Sequence, residues 1–118
     1  MKSRFPRSLY SEGSEPDPRF SLANERTFLA WVRTSLALIA AGVALEALQV
    51  PISPEFRLTS ALVFVALGVV AAIQAWAGWW RTEQAMRRNE ALPGLSTGLG
   101  ISLGVLLGVG FIVLGVFL

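Results

Sequence analysis

From Leu58 to Trp80 the chain carries no formal charge, and the same holds from Leu95 to Leu118. A helix crosses the hydrocarbon of a bilayer with roughly 20 apolar residues, so each run is long enough to span. In lipid every backbone N–H and C=O must be satisfied within the protein, which a helix does by itself. A third run, Ser21 to Val50, begins with Asn24, Glu25, Arg26 and Thr27 and then turns apolar, keeping Arg33 inside it. The pattern predicts an all-α integral membrane protein with three transmembrane helices over about residues 28–50, 58–80 and 95–118. Of 118 residues, 53% are hydrophobic and 15% charged, a balance that excludes the surface of a soluble globular domain.

Arg33 is the residue that this architecture must accommodate. An ionised side chain at mid-bilayer costs about 2.5–3.5 kcal/mol on insertion scales. Arg26 and Arg33 are seven residues apart, hence on one helix face and about 10 Å apart along the axis. Ala30, Ala37, Ala41 and Ala44 share that face, while Leu29, Val32, Leu36, Ile39 and Val43 form a bulkier one suited to lipid. This spacing predicts that the arginines look inward, towards other helices or a cavity. Counting roughly 20 residues back from Val50, where Pro51 and Pro54 stop the helix, places the hydrocarbon boundary near Trp31. Arg33 then lies about half a turn inside, within snorkelling reach of the headgroups. A snorkelling anchor and a helix-lined polar site both satisfy this placement.

Residues 1–20 contain Lys2, Arg4, Arg7 and Arg19 among Pro, Ser, Glu and Gly, and lack the apolar core of a signal peptide. They predict a flexible basic arm preceding a membrane domain over residues 21–118, with Ser21 capping the first helix. Gly68, Ala71, Ala75 and Gly78 form a small-residue face on the second span, and Trp76, Trp79 and Trp80 cluster at its far end. Trp31 matches them at the near end of the first span, so all four tryptophans mark one membrane face. Beyond Trp80, nothing breaks the helix before Pro93 and Gly94, and Arg81, Glu83, Arg87, Arg88 and Glu90 read as a solvated flank. On the third span, Gly100, Gly104, Gly108 and Gly115 form a face for close helix packing.

Nine of the ten basic residues fall with the N-terminal arm, the first-helix entry and the second loop, and only Arg57 falls with the first loop. The positive-inside rule therefore predicts a cytoplasmic N-terminus and an outer C-terminus. Glu46 is too far from Arg33 to neutralise it within one helix, and Arg57 or outer water is its expected partner. The absence of Cys removes disulfides and thiolate metal sites, and the absence of His removes the commonest base and metal ligand. No catalytic residues, metal or cofactor are expected, and the protein reads as a non-enzyme without nucleic-acid partners.

Leu22–Leu45, LANERTFLAWVRTSLALIAAGVAL, followed by a span ending WWRTEQAMRRNEALP, resembles the YidH family of small bacterial inner-membrane proteins, a domain-of-unknown-function group. The resemblance covers about residues 17–118. Its specific part is Asn24, Glu25, Arg26, Thr27, Trp31, Arg33 and Thr34. It implies a multi-pass protein of the bacterial inner membrane. The three-helix domain is also similar to the membrane part of the eukaryotic vacuolar transporter chaperone, whose chains assemble around a basic-lined pore that receives polyphosphate from a separate catalytic domain. That likeness implies a homo-oligomer in which Arg26, Arg33, Arg81 and Arg88 face a phosphorylated anion, although these 118 residues include no polymerase domain. A structural or regulatory subunit with arginines on anionic lipid is the alternative. Gly100, Gly104 and Gly108 would supply helix packing in either case.

Overall fold

The computed structural model describes residues 6–11, 13–92 and 96–118, without the side chains of Arg7, Ser96 and Thr97. Among these residues the chain is entirely helical: α1 (Arg7–Tyr10), α2 (Pro18–Ala47), α3 (Pro54–Arg87) and α4 (Ser96–Phe117). The last three are long and apolar enough to cross a membrane. Lys2, Arg4, the predicted stop at Pro93 and Gly94, and the predicted start at Leu95 lie outside the described residues.

The helix ends follow local chemistry. α2 begins three residues before the expected cap at Ser21, because Asp17 accepts the Arg19 N–H at 2.9 Å and Pro18 occupies the first turn, where a missing N–H costs nothing. At its exit, Leu48 caps and Gln49 turns left-handed with φ 47°. Val50 donates its N–H to Leu45 O and Gln49 donates to Glu46 O, closing a Schellman motif. α3 starts at Pro54 and, as expected, continues beyond Trp80. It stops at Arg87, ahead of Pro93, through the same device. Asn89 is left-handed with φ 54°, Glu90 bonds Ala85 O at 2.8 Å, and Asn89 bonds Met86 O. Asn tolerates that conformation, so the stop is encoded in one residue.

α3 is the centre of the bundle, with α2 and α4 packed along it. Leu38, Phe64, Ala71 and Ile101 form a core cluster drawn from all three helices, with Trp31, Leu67, Val105 and Ile112 packed against it. The α2–α3 seam depends on missing side chains. A β-carbon on Gly42 would lie 2.6 Å from Ala61 O, and one on Gly68 would lie 2.9 Å from Ser35 O. This close approach lets the buried Ser35 hydroxyl donate to Gly68 O at 2.7 Å. Asn24, also buried, donates to Trp79 O at 3.0 Å. Interhelical bonds of this kind contribute about 0.6–2 kcal/mol each in membranes. At the other end Arg57 pairs with Glu46 at 3.2 Å, the expected partner, and also donates to Val50 O.

Among the described residues of the predicted arm, the chain lies against the end of α3. Leu9 is fully buried, and Ser14 N–H donates to Arg87 O at 3.2 Å. Gly13, at φ 53°, passes so close to Arg87 O that a β-carbon there would overlap it. The prolines that argue against helix instead punctuate a segment folded back on the end of α3.

Candidate functional site

Arg26 and Arg33 of α2 are exposed on the single chain. They do not face α3, because α2 packs on α3 through a neighbouring face made by Asn24, Ser35, Leu38 and Gly42. α2 has small residues on two faces, and Gly42 approaches α3 more closely than an alanine allows. Ala30, Ala37 and Ala41 are therefore left open beside Arg26 and Arg33. Among the described residues, neither Arg26 nor Arg33 forms a hydrogen bond or ion pair.

Arg26 lines an open groove of about 420 Å³ between α2 and α4. Thr27, Thr34 and Ser102 contribute polar side chains to its wall, while Ala30, Trp31 and Ile101 make it apolar. Trp31 is more than an interfacial anchor: it packs on the core cluster, and its ring would be 3.9 Å from a β-carbon at Gly98. The groove can hold a group with an anionic end and an apolar body, the guanidinium offering planar bidentate hydrogen bonds. Arg33 is exposed but does not line it. The early end of α2 at Ala47 also changes its depth. Counting roughly 20 residues back now reaches Phe28, so Arg33 lies about 7 Å inside the hydrocarbon rather than half a turn.

Arg81 and Arg88 are not gathered with Arg26. Arg81 is exposed and donates to Ala77 O and the Gln74 side chain of its own helix. Arg88 caps α3 with its side chain 4.0 Å from Glu90. Of the three glycines expected in packing, Gly104 faces Leu67 and Gly108 faces Phe64, both on α3. Gly100 meets nothing within 4 Å.

A polar centre that the sequence disguised lies where α3 meets the folded N-terminal segment. Glu83 and Arg87 are each only 2% exposed, not solvated. Their closest atoms are 3.6 Å apart, an ion pair at i,i+4 without a hydrogen bond. Arg87 also donates to Glu15 at 3.1 Å and to Tyr10 O at 3.0 Å, and its guanidinium carbon lies 4.7 Å from the Tyr10 ring centroid. Glu83 accepts the Ser21 hydroxyl at 3.1 Å. The i,i+4 spacing was visible, but a helix spacing says nothing about a distant segment folding over it. Nearby, the Arg19 side chain and then its backbone N–H hold the Asp17 carboxyl below the usual carboxylate range.

The family described as a domain of unknown function (DUF202) matches residues 19–85, which take in α2 and nearly all of α3. The chain is 46% identical over 107 residues to the inner membrane protein YidH of Escherichia coli, covering 90% of this chain and 92% of that one. It is also 46% identical over 84 residues to the uncharacterized protein Rv2272 of Mycobacterium tuberculosis, covering 67% of this chain and 66% of that protein. No solved structure matches.

Proposed function

The chain belongs to the DUF202 family of YidH-like membrane proteins, and from that premise we propose that it is a non-catalytic homo-oligomer of the inner membrane whose α2 arginines bind or conduct phosphorylated anions. One observation carries this: Arg26 and Arg33 stand exposed on an apolar helix with no protein partner among the described residues. By the count from Ala47, Arg26 lies just before the hydrocarbon and Arg33 inside it, where a charge needs water, headgroups, an anion or another chain. The open strip of Ala30, Ala37 and Ala41 beside them suits the close approach of a second copy, which would pool the arginines of several chains around one axis. Arg81 and Arg88 then form a rim rather than the site itself. In this proposal the N-terminus and the α3–α4 connection are cytoplasmic, as the placement of basic residues favours.

The mixed wall of the groove beside Arg26 favours a second possibility, a structural or regulatory subunit with an anionic lipid seated there. Polyphosphate binding by the purified protein across a salt series, with Arg26→Lys, Arg33→Lys and the double variant, separates the two. A planar bidentate site predicts losses in each variant that do not add, because both groups hold one ligand. Wild-type binding that is absent, or binding that survives both lysines, refutes the anion site.

A further inference from the structure

Away from the face that packs on α3, α2 carries two unlike strips side by side. Leu29, Leu36 and Val43 recur every seven residues, and each is more than half exposed. Ala30, Ala37 and Ala44 follow them one residue later, so the small strip runs about 100° round the helix from the bulky one and level with it. Glu25 heads the bulky strip and Arg26 the small one. Both are exposed, and neither forms a hydrogen bond or ion pair among the described residues. The small strip also opens into the groove between α2 and α4, whose wall includes Arg26 and Ala30.

We propose that the bulky strip of one copy seats against the small strip of the next, so that Glu25 of each chain answers Arg26 of its neighbour and a second chain closes the Arg26 groove. This rests on the homo-oligomer proposed above and adds the direction of contact, a head-to-tail ring rather than a two-fold pair. Chains inserted the same way and related by rotation about the membrane normal keep every residue at its own depth, so groups at one level are the ones that meet. Leu29 is then level with Ala30, Leu36 with Ala37 and Val43 with Ala44, a large side chain against a small one each time. Seven-residue spacing holds such a seam together in a left-handed bundle. A two-fold pair sets each strip against itself, either bulk on bulk or Arg26 and Arg33 on their own copies. Bulky aliphatic residues on a membrane helix ordinarily meet lipid. Charge complementarity selects protein here, because the unpaired carboxylate and the unpaired guanidinium head the two complementary strips at one level. One Glu25 per chain also offsets the repulsion among arginines gathered near an axis. A guanidinium has five N–H donors, so Arg26 meets Glu25 on one edge and keeps another for an anion.

The chain has no cysteine, so engineered ones report the contact directly. Disulfides need α-carbons within about 7 Å, and oxidation in the membrane is the readout. Chains carrying Leu36→Cys and chains carrying Ala37→Cys should cross-link when mixed and not alone, and a chain carrying both should give a ladder beyond the dimer. Glu25→Arg and Arg26→Glu, both at exposed positions, should each cut the mixed cross-link by about fivefold or more, and the two in one chain should restore it. Ala37→Cys that cross-links alone as well as in the mixture shows a two-fold contact, which overturns the ring and leaves the oligomer standing. No cross-link in a protein whose mass in detergent is that of several chains overturns this interface only, whereas a single-chain mass overturns the oligomer with it. A double charge swap that fails to recover the cross-link overturns the Glu25 and Arg26 pairing.

Discussion

Arg87 and Arg26 are the same residue type in opposite situations. Arg87 is enclosed by groups of its own chain, Glu83, Glu15, the Tyr10 carbonyl and the Tyr10 ring. Arg26 faces an open groove with no such partner. A buried guanidinium must be matched by its own fold, since desolvation would otherwise exceed the attraction it gains. An exposed one on a membrane helix carries its unmet hydrogen-bonding capacity outward, to lipid, anion or another subunit. Arginines near a membrane therefore divide into those that organise the chain and those that address something beyond it.

The contrast is broken most forcefully at Arg87. Replacement by Leu leaves Glu83 buried with its charge unanswered, and the expected loss is about 3–5 kcal/mol in reversible unfolding. Limited proteolysis should also then cut within residues 11–16. The pair Glu83→Gln with Arg87→Met removes both charges and should recover most of that loss. Equal losses in the single and double variants would show that Arg87 acts through packing alone.

A smaller effect is expected at Gly104, where a Leu side chain would push on Leu67 and separate α4 from α3. Overpacking of this kind costs about 1–3 kcal/mol, read as a lower midpoint in thermal unfolding. The same change at Gly100 should be silent, since nothing lies within 4 Å of it. A Gly100 variant that unfolds or disassembles like the Gly104 variant would place a second chain against that position.

Arg26→Leu and Arg33→Leu should alter the stability of the folded chain by less than about 0.5 kcal/mol, as exposed groups without partners do. Their anion or lipid binding should fall while unfolding stays near wild type. A large destabilisation would mean that these arginines, like Arg87, serve the fold.

The smallest expected effect is at acid pH. Asp17 has a folded-state pKa held below its ordinary value by Arg19, so its contribution is complete above the ordinary carboxylate range. That contribution disappears as pH falls through the lowered value. Amide exchange in the first turn of α2 should therefore quicken only at the acid end, and Asp17→Asn should remove that dependence.

The three spans were legible because length and hydropathy report directly on a bilayer crossing. So was the Glu46–Arg57 pair, since two opposite charges at one membrane face have few other partners. The Gly68, Ala71 and Ala75 face was legible for the same reason that α2 packs on it, its lack of bulk. Which face of α2 meets α3 was not, because α2 offers small residues on two faces and single-helix periodicity cannot choose between them. Burial of Glu83 and Arg87 was hidden more deeply. It depends on the chain returning over 60 residues later to meet Ser21, Glu15 and Tyr10. The start of α2 ahead of Ser21 has a simpler reason: Pro18, a helix breaker in general, is a favoured residue in a first turn.

Ser53 donates its N–H to Gly115 O at 3.0 Å, tying the α2–α3 connection to the last turn of α4. That carbonyl is one a helix leaves unused at its end, so the tie takes nothing from α4 itself. Mechanically it is a fulcrum. Seventeen residues separate Gly115 from Gly98, a lever arm of about 25 Å, so a tilt of about 10° around the tie carries Gly98 by about 4 Å. A tilt about that tie is therefore felt at Gly98, one wall of the groove beside Arg26, at the far end of the helix.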